Sequence, residues 1–112
     1  MEQKTLDAVI DLLGIDEESL EKLKADSLKV YEDLGSYTEL KDTALTHIRD
    51  VSKECSDTCT KVQEFLSNVK EDRCSPREIL EGSWTLYKEL KGIREDYTPL
   101  REKLPRILRN SD

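Results

Sequence analysis

The sequence predicts an all-α protein, an elongated helical coiled-coil subunit with breaks near Gly35-Ser36 and Ser75-Pro76. Three observations lead there. Charged residues fill 38% of the 112 positions and aromatic residues 5%, a balance that suits long solvated helices better than a thick core. Three prolines and four glycines leave little material for loops. Apolar residues recur at heptad spacing through most of the chain. A compact three- to four-helix bundle is the alternative architecture. The chain reads as one helical unit, residues 1–112. It contains a short amphipathic helix over 5–13, long helices over 17–34 and 37–70, a last helix over 76–98 and a kinked tail over 99–112.

The first helix is set by Leu6, Val9, Ile10 and Leu13, which fall at i, i+3, i+4 and i+7 on one face. Thr5 suits its N-cap and Gly14 its C-terminal stop. Asp16 offers the next N-cap, followed by Glu17 and Glu18 where the helix dipole favours negative charge.

From Leu20, taken as heptad position a, the seam runs through Leu23, Val30, Leu34, Tyr37, Ile48, Val51, Cys55, Val62, Phe65 and Val69. Ser27, Lys41 and Thr58 are the polar interruptions, and Ala44 is small. Lys41 at an a position reads either as a register-fixing charge or as a helix end open to water. Tyr31, Leu45, Cys59 and Leu66 widen the stripe, as expected of a helix with more than one neighbour. Ser36-Tyr37-Thr38-Glu39 has capping-box spacing at a break that does not shift the heptad phase.

The stretch EDRCSPREI, Glu71 to Ile79, is the strongest punctuation. Ser75 as N-cap, Pro76 at the first helical position and Glu78 three residues after the cap define a helix start. The apolar positions beyond it are Ile79, Leu86, Leu90, Ile93, Tyr97, Leu100, Leu104 and Ile107, in phase with those before it. That continuity favours a hinge over a fold-back corner. Interior proline costs about 3 kcal/mol, so Pro99 and Pro105 predict an end to regular helix between Asp96 and Thr98.

The net charge of −7 is uneven: residues 1–42 carry −7, residues 43–83 carry −2 and residues 84–112 carry +2. An acidic front and a mildly basic tail suit charge-matched docking, whereas DNA binding calls for a basic face. No run approaches the roughly 20 apolar residues of a membrane span and no signal peptide is visible, so a soluble, cytoplasmic protein is expected. An odd count of three cysteines without a secretory signal reads as free thiols. Cys55, Cys59, Cys74 and His47 lack the ligand spacing of a zinc site, and no glycine-rich phosphate loop is present. No metal, cofactor or catalytic residue is therefore expected, and no enzyme activity. Trp84 and Tyr87 sit beside the seam, at b and e, and read equally as a recognition hot spot or as packing against a neighbouring helix.

Tyr37-Thr38-Glu39-Leu40-Lys41-Asp42-Thr43-Ala44 resembles a Tyr-x-Glu-Met-Lys-Asp-x-Ala stretch of subunit 2 of the biogenesis of lysosome-related organelles complex 1 (BLOC-1). Val62-Gln63-Glu64-Phe65-Leu66 resembles that family's Leu-Gln-x-Tyr-Leu, and the likeness continues through Leu80-Glu81 and Leu86 to Tyr97 and Leu100. It spans roughly residues 37–104, with a one-residue offset between the first two blocks. The Ser75-Pro76 break and Tyr31-Glu32-Asp33, which stands in place of an asparagine-containing stretch, depart from the pattern. The resemblance implies a helical subunit of a rod-like cytosolic hetero-oligomer, shared with the lysosome-positioning complex BORC. Its place would be the cytosolic face of lysosomes or endosomes, reached through its partners.

The expected function is assembly with other helical subunits, in lysosome or lysosome-related organelle biogenesis or positioning. The residues expected to bind partners are Ile48, Val51, Val62, Phe65, Leu86, Leu90, Ile93 and Tyr97, each burying roughly 1.5–3 kcal/mol of side chain. The alternatives are a kinetochore, spindle or vesicle-tethering coiled-coil subunit, and a self-contained bundle that binds a partner helix in a groove.

Overall fold

The computed structural model describes residues 3–35 and 43–110, all of them in four helices or their connections. Helix α1 spans Gln3–Leu13, α2 Glu17–Gly35, α3 Thr43–Lys70 and α4 Pro76–Asn110. The predicted capping box at Ser36–Glu39 and the seam residue Lys41 lie outside the described residues. No strand occurs among the described residues.

Helix α1 takes in Thr5, expected as its N-cap, since it runs from Gln3, whereas the stop of α1 and the start of α2 follow the expected chemistry. Gly14 closes α1 in the left-handed region (φ 73°), and its N–H donates to Ile10 and Asp11. The Asp16 carboxylate then accepts from the Ser19 N–H at 2.7 Å, capping α2.

At EDRCSPREI the chain reverses, so the expected hinge is a corner. Asp72 takes up a left-handed conformation (φ 56°). The N–H of Arg73 reaches back to the Asn68 carbonyl and that of Asp72 to Val69, which ends α3 in a Schellman turn. The Ser75 capping box then starts α4: the Glu78 N–H donates to the Ser75 hydroxyl, and the Ser75 N–H to the Glu78 carboxylate at 2.9 Å. Unbroken heptad phase did not exclude this. A helix can turn the same stripe toward its neighbour whether it runs forward or back.

Helix α3 is the central staff, packed along α2 on one side and α4 on another, while α1 lies mainly against α4. The molecule measures 53 × 21 × 20 Å with a Cα radius of gyration of 16.3 Å. A compact globule of this length would have about 13 Å. At about 1.5 Å per residue, the 35 residues of α4 account for the whole long axis. The elongated all-α form expected from composition is present, built by antiparallel folding of the chain on itself.

Helix α4 does not stop at Thr98 but continues through Pro99 and Pro105 to Asn110. Both prolines are on exposed positions, where water can serve the carbonyls that lose a helical donor. Between and beyond them Leu100, Leu104, Ile107 and Leu108 pack into a core with Val30, Leu34, Leu45 and Ile48. This burial offsets the proline penalty.

The interior divides into two clusters. The larger joins all four helices through Val9, Leu13, Leu20, Val62, Leu90 and Ile93, among others; the smaller occupies the far end. Ser27 and Thr58, which interrupt the seam in sequence, are buried with the rest. Each hydroxyl donates to a carbonyl one turn back, at 2.8 Å to Leu23 for Ser27 and 2.8 Å to Glu54 for Thr58. Ser52 and Ser83 do the same. Satisfied in this way, small hydroxyls pass as core residues and let the helices approach closely. No described buried side-chain polar atom lacks a partner.

Candidate functional site

The eight residues expected to bind partners are all engaged inside the chain. Ile48, Val51, Val62, Leu90, Ile93 and Tyr97 are buried, and Phe65 and Leu86 are half-buried against the larger core. The heptad seam is real, but its neighbours are the protein's own helices. Such a seam looks the same in sequence whether the facing helix comes from another chain or from the same one after a turn; after the corner at Asp72 the facing helices are the chain's own. The residues that the fold leaves outside form a separate surface.

Among the described residues, four large apolar side chains remain exposed: Leu12, Leu28, Leu80 and Trp84. Leu80 and Trp84 stand out, at 64% and 61% exposure, and they are one turn apart on α4. Tyr87 follows three residues on, its ring stacked on the Trp84 indole with centroids 5.9 Å apart and planes at 25°. The Lys88 ammonium lies 5.3 Å from the centre of the Trp84 ring, a cation–π contact. Leu80, Trp84 and Tyr87 therefore form one apolar row along α4, beside the seam. Sequence reasoning weighed Trp84 and Tyr87 as a hot spot but missed Leu80. Its i, i+4, i+7 spacing with the two aromatics was the signal available.

The row leads into a groove between α4 and the end of α1. This groove of about 370 Å³ is lined by Leu13, Gly14, Tyr87, Leu90, Lys91 and Arg94, with Glu95 and Thr98 at one end. The bare Cα of Gly14 sets its wall: a Cβ there would stand 3.6 Å from the Tyr87 ring. Glu95 is the single carboxylate in the lining, set against Lys91 and Arg94. A second groove, about 790 Å³, runs between α3 and α4 and carries mixed charge from Asp50, Glu54, Asp57, Lys53, Lys61 and Lys88. It offers no apolar anchor comparable to Trp84.

The thiols sit elsewhere. Cys55 and Cys59 are fully buried, and a hydrogen bond with Cys55 and burial together push the Cys59 thiol up. Cys74 is half-buried near the corner. No group of three or more His, Cys, Asp or Glu side chains that could hold a metal occurs among the described residues. No helix among them is long and apolar enough to cross a membrane.

Across α2 and α4, Asp26 accepts hydrogen bonds from the Tyr97 phenol and, at 3.1 Å, from Arg101. Burial raises the Asp26 carboxyl, but these donors outweigh it and its pKa lies below the usual carboxylate value. Burial and the bond to Asp26 push the Tyr97 phenol up. This cluster ties α2 to α4 and borders a groove of about 530 Å³ whose lining includes Asp26, Lys29, Asp33, Arg101 and Leu104. Comparison of the chain with family models, curated proteins and solved structures finds no match in any of the three.

Proposed function

We propose that this protein is a non-enzymatic interaction subunit, a self-folded helical bundle that joins other helical chains through the outer face of α4. The observation that carries this reading is the exposed pair Leu80 and Trp84, continued by the half-buried Tyr87, on a surface otherwise dominated by charge. Large aromatics dominate binding energetics where they become desolvated, and a folded chain gains nothing from leaving them in water. The resemblance to BLOC-1 subunit 2 supplies the setting: a cytosolic hetero-oligomer acting in lysosome or lysosome-related organelle biogenesis or positioning, with peripheral placement on organelle membranes through its partners.

A bundle adaptor that receives a partner helix is the second reading, and the groove beside Gly14 favours it. Affinity purification of the full chain, wild type and the Leu80→Ala/Trp84→Ala variant, tests the interaction role. The expected result is loss of the partner by the variant with its helical content unchanged. Equal recovery from both chains would remove the row as the docking face. Identification of the recovered chains decides between the organelle setting and a kinetochore, spindle or tethering one.

A further inference from the structure

Resting on the docking face proposed above, we infer that its occupant is an acidic amphipathic helix of another protein. Three features of the surface point to that chemistry. First, the face already accepts a helix. The last turn of α1, at Leu13 and Gly14, abuts Tyr87 and Leu90, and the apolar row continues past this contact toward Leu80. The helix seated there is itself amphipathic, with Leu6, Val9, Ile10 and Leu13 on its apolar side and Asp7 and Asp11 among its polar residues.

Second, the row is flanked by cations on a chain of net charge −7. Lys88 stands over Trp84, and Lys91 and Arg94 line the groove that follows; Glu95 shares that lining, and Asp11 and Asp16 share a neighbouring groove with Arg94. Arg77, one turn before Leu80, pairs with Glu81 at 2.8 Å on the exposed surface, so the two add no net charge to the strip. An acidic partner finds local counter-charges in Lys88 and Lys91, and a basic one meets them head on.

Third, the same cations disfavour a second copy of this chain. Two-fold pairing through the row would bring two sets of lysines together. An anionic membrane shares the attraction to tryptophan and lysine. A flat bilayer surface would, however, cover the exposed row and leave the groove between α4 and the end of α1 unfilled.

The protein's single tryptophan is Trp84, so its emission reports directly on this face. The probes are two synthetic amphipathic helices of about 18 residues, five turns, with leucines at i, i+4 and i+7. One carries glutamates on the flanking positions and its twin carries lysines. Phosphatidylserine–phosphatidylcholine vesicles form the third arm. The Glu-flanked peptide is expected to shift Trp84 emission to the blue in a saturable, salt-sensitive way and to bind about tenfold or more tighter than its twin. The exposed-site variant Lys88→Glu/Lys91→Glu should reverse that preference. Trp84→Ala, followed by anisotropy of the labelled peptide, should weaken binding by about 30-fold.

Equal binding of the twins, no response to either, or a blue shift with vesicles alone would overturn the inference. Its failure is separable from that of the docking face. If Leu80→Ala/Trp84→Ala loses the purified partner while the twins bind equally, the face stands and the acidic occupant falls. If the variant keeps the partner, both fall.

Discussion

The Tyr97 phenol on α4 donates its hydrogen bond to Asp26 on α2, joining two helices that also meet in the smaller core, where Val30 and Leu34 pack with Leu104. Arg101, one turn further on, donates to the same carboxylate. The folded-state pKa of Asp26 is depressed, so its contribution is present above the unfolded carboxyl value of about 4 and is lost as pH falls through the folded one. Asp26→Asn should therefore cost stability at pH 7 and little in strong acid. The carboxylate is 43% exposed, and solvent screening holds its ion pair with Arg101 to about 1 kcal/mol or less. Urea melts of both chains from pH 7 to pH 2 check this, and parallel curves across that range would contradict it.

Tyr97 supplies the alkaline counterpart. Its folded pKa is raised above the usual tyrosine value of about 10, so its stabilisation is full below that pH and is lost only as pH rises through the folded value. In a spectrophotometric titration, one of the four tyrosines should ionise after the others and together with loss of helix. In Tyr97→Phe the late phase should vanish and stability at pH 7 should drop by about 1 kcal/mol.

Seam and outer row should separate cleanly under truncation. Leu90→Ala and Ile48→Ala open cavities in the two cores and should each cost about 2–5 kcal/mol. Leu80→Ala and Trp84→Ala remove solvated side chains and should stay within about 0.5 kcal/mol of wild type. Thermal denaturation of the four variants decides the matter. A large loss from Trp84→Ala would mean that it supports the fold rather than docking.

Two glycines of α4 should respond oppositely to alanine. A Cβ on Gly92 meets open space, so Gly92→Ala should gain about 1 kcal/mol of helix propensity. A Cβ on Gly82 would lie 2.5 Å from the Phe65 ring, which must swing aside. Gly82→Ala should therefore forfeit that gain or lose stability outright, while Gly82→Ala in a Phe65→Ala background should recover it. Paired melting curves of the single and double variants measure the difference.

The corner itself can be weakened without touching the core. Ser75→Ala removes the N-cap of α4 and should cost about 1 kcal/mol, read as faster amide exchange in the first turn, around Arg77 to Ile79. Uniform acceleration along the whole helix would contradict a local cap.

Much of this fold was legible before any coordinates. Gly14, Asp16, Ser75 and Glu78 announced their caps because capping depends on chemistry within a few residues. The seam was legible too, down to Leu90, Ile93 and Tyr97, since burial follows heptad spacing. What sequence could not supply was the identity of the facing helix. Asp72 is an ordinary residue in an unusual backbone state, and nothing in its type separates a reversal from a hinge. The prolines misled for a related reason: their cost is local, whereas Leu104 and Ile107 are held by helices distant in sequence. The outer row was half seen, because Leu80 shares its i, i+4 relation to Trp84 with many inconsequential pairs.

The placement of the three cysteines turns the protein into a chemical timer. Cys74, half-buried at the corner, is within reach of an alkylating reagent in the native state, whereas Cys55 and Cys59 are sealed inside the larger core. Their modification must wait for the helices around them to separate. The lag between the first and the later adducts, followed by mass spectrometry, therefore reports how often the bundle opens, and a bound partner that clamps the helices together should lengthen it.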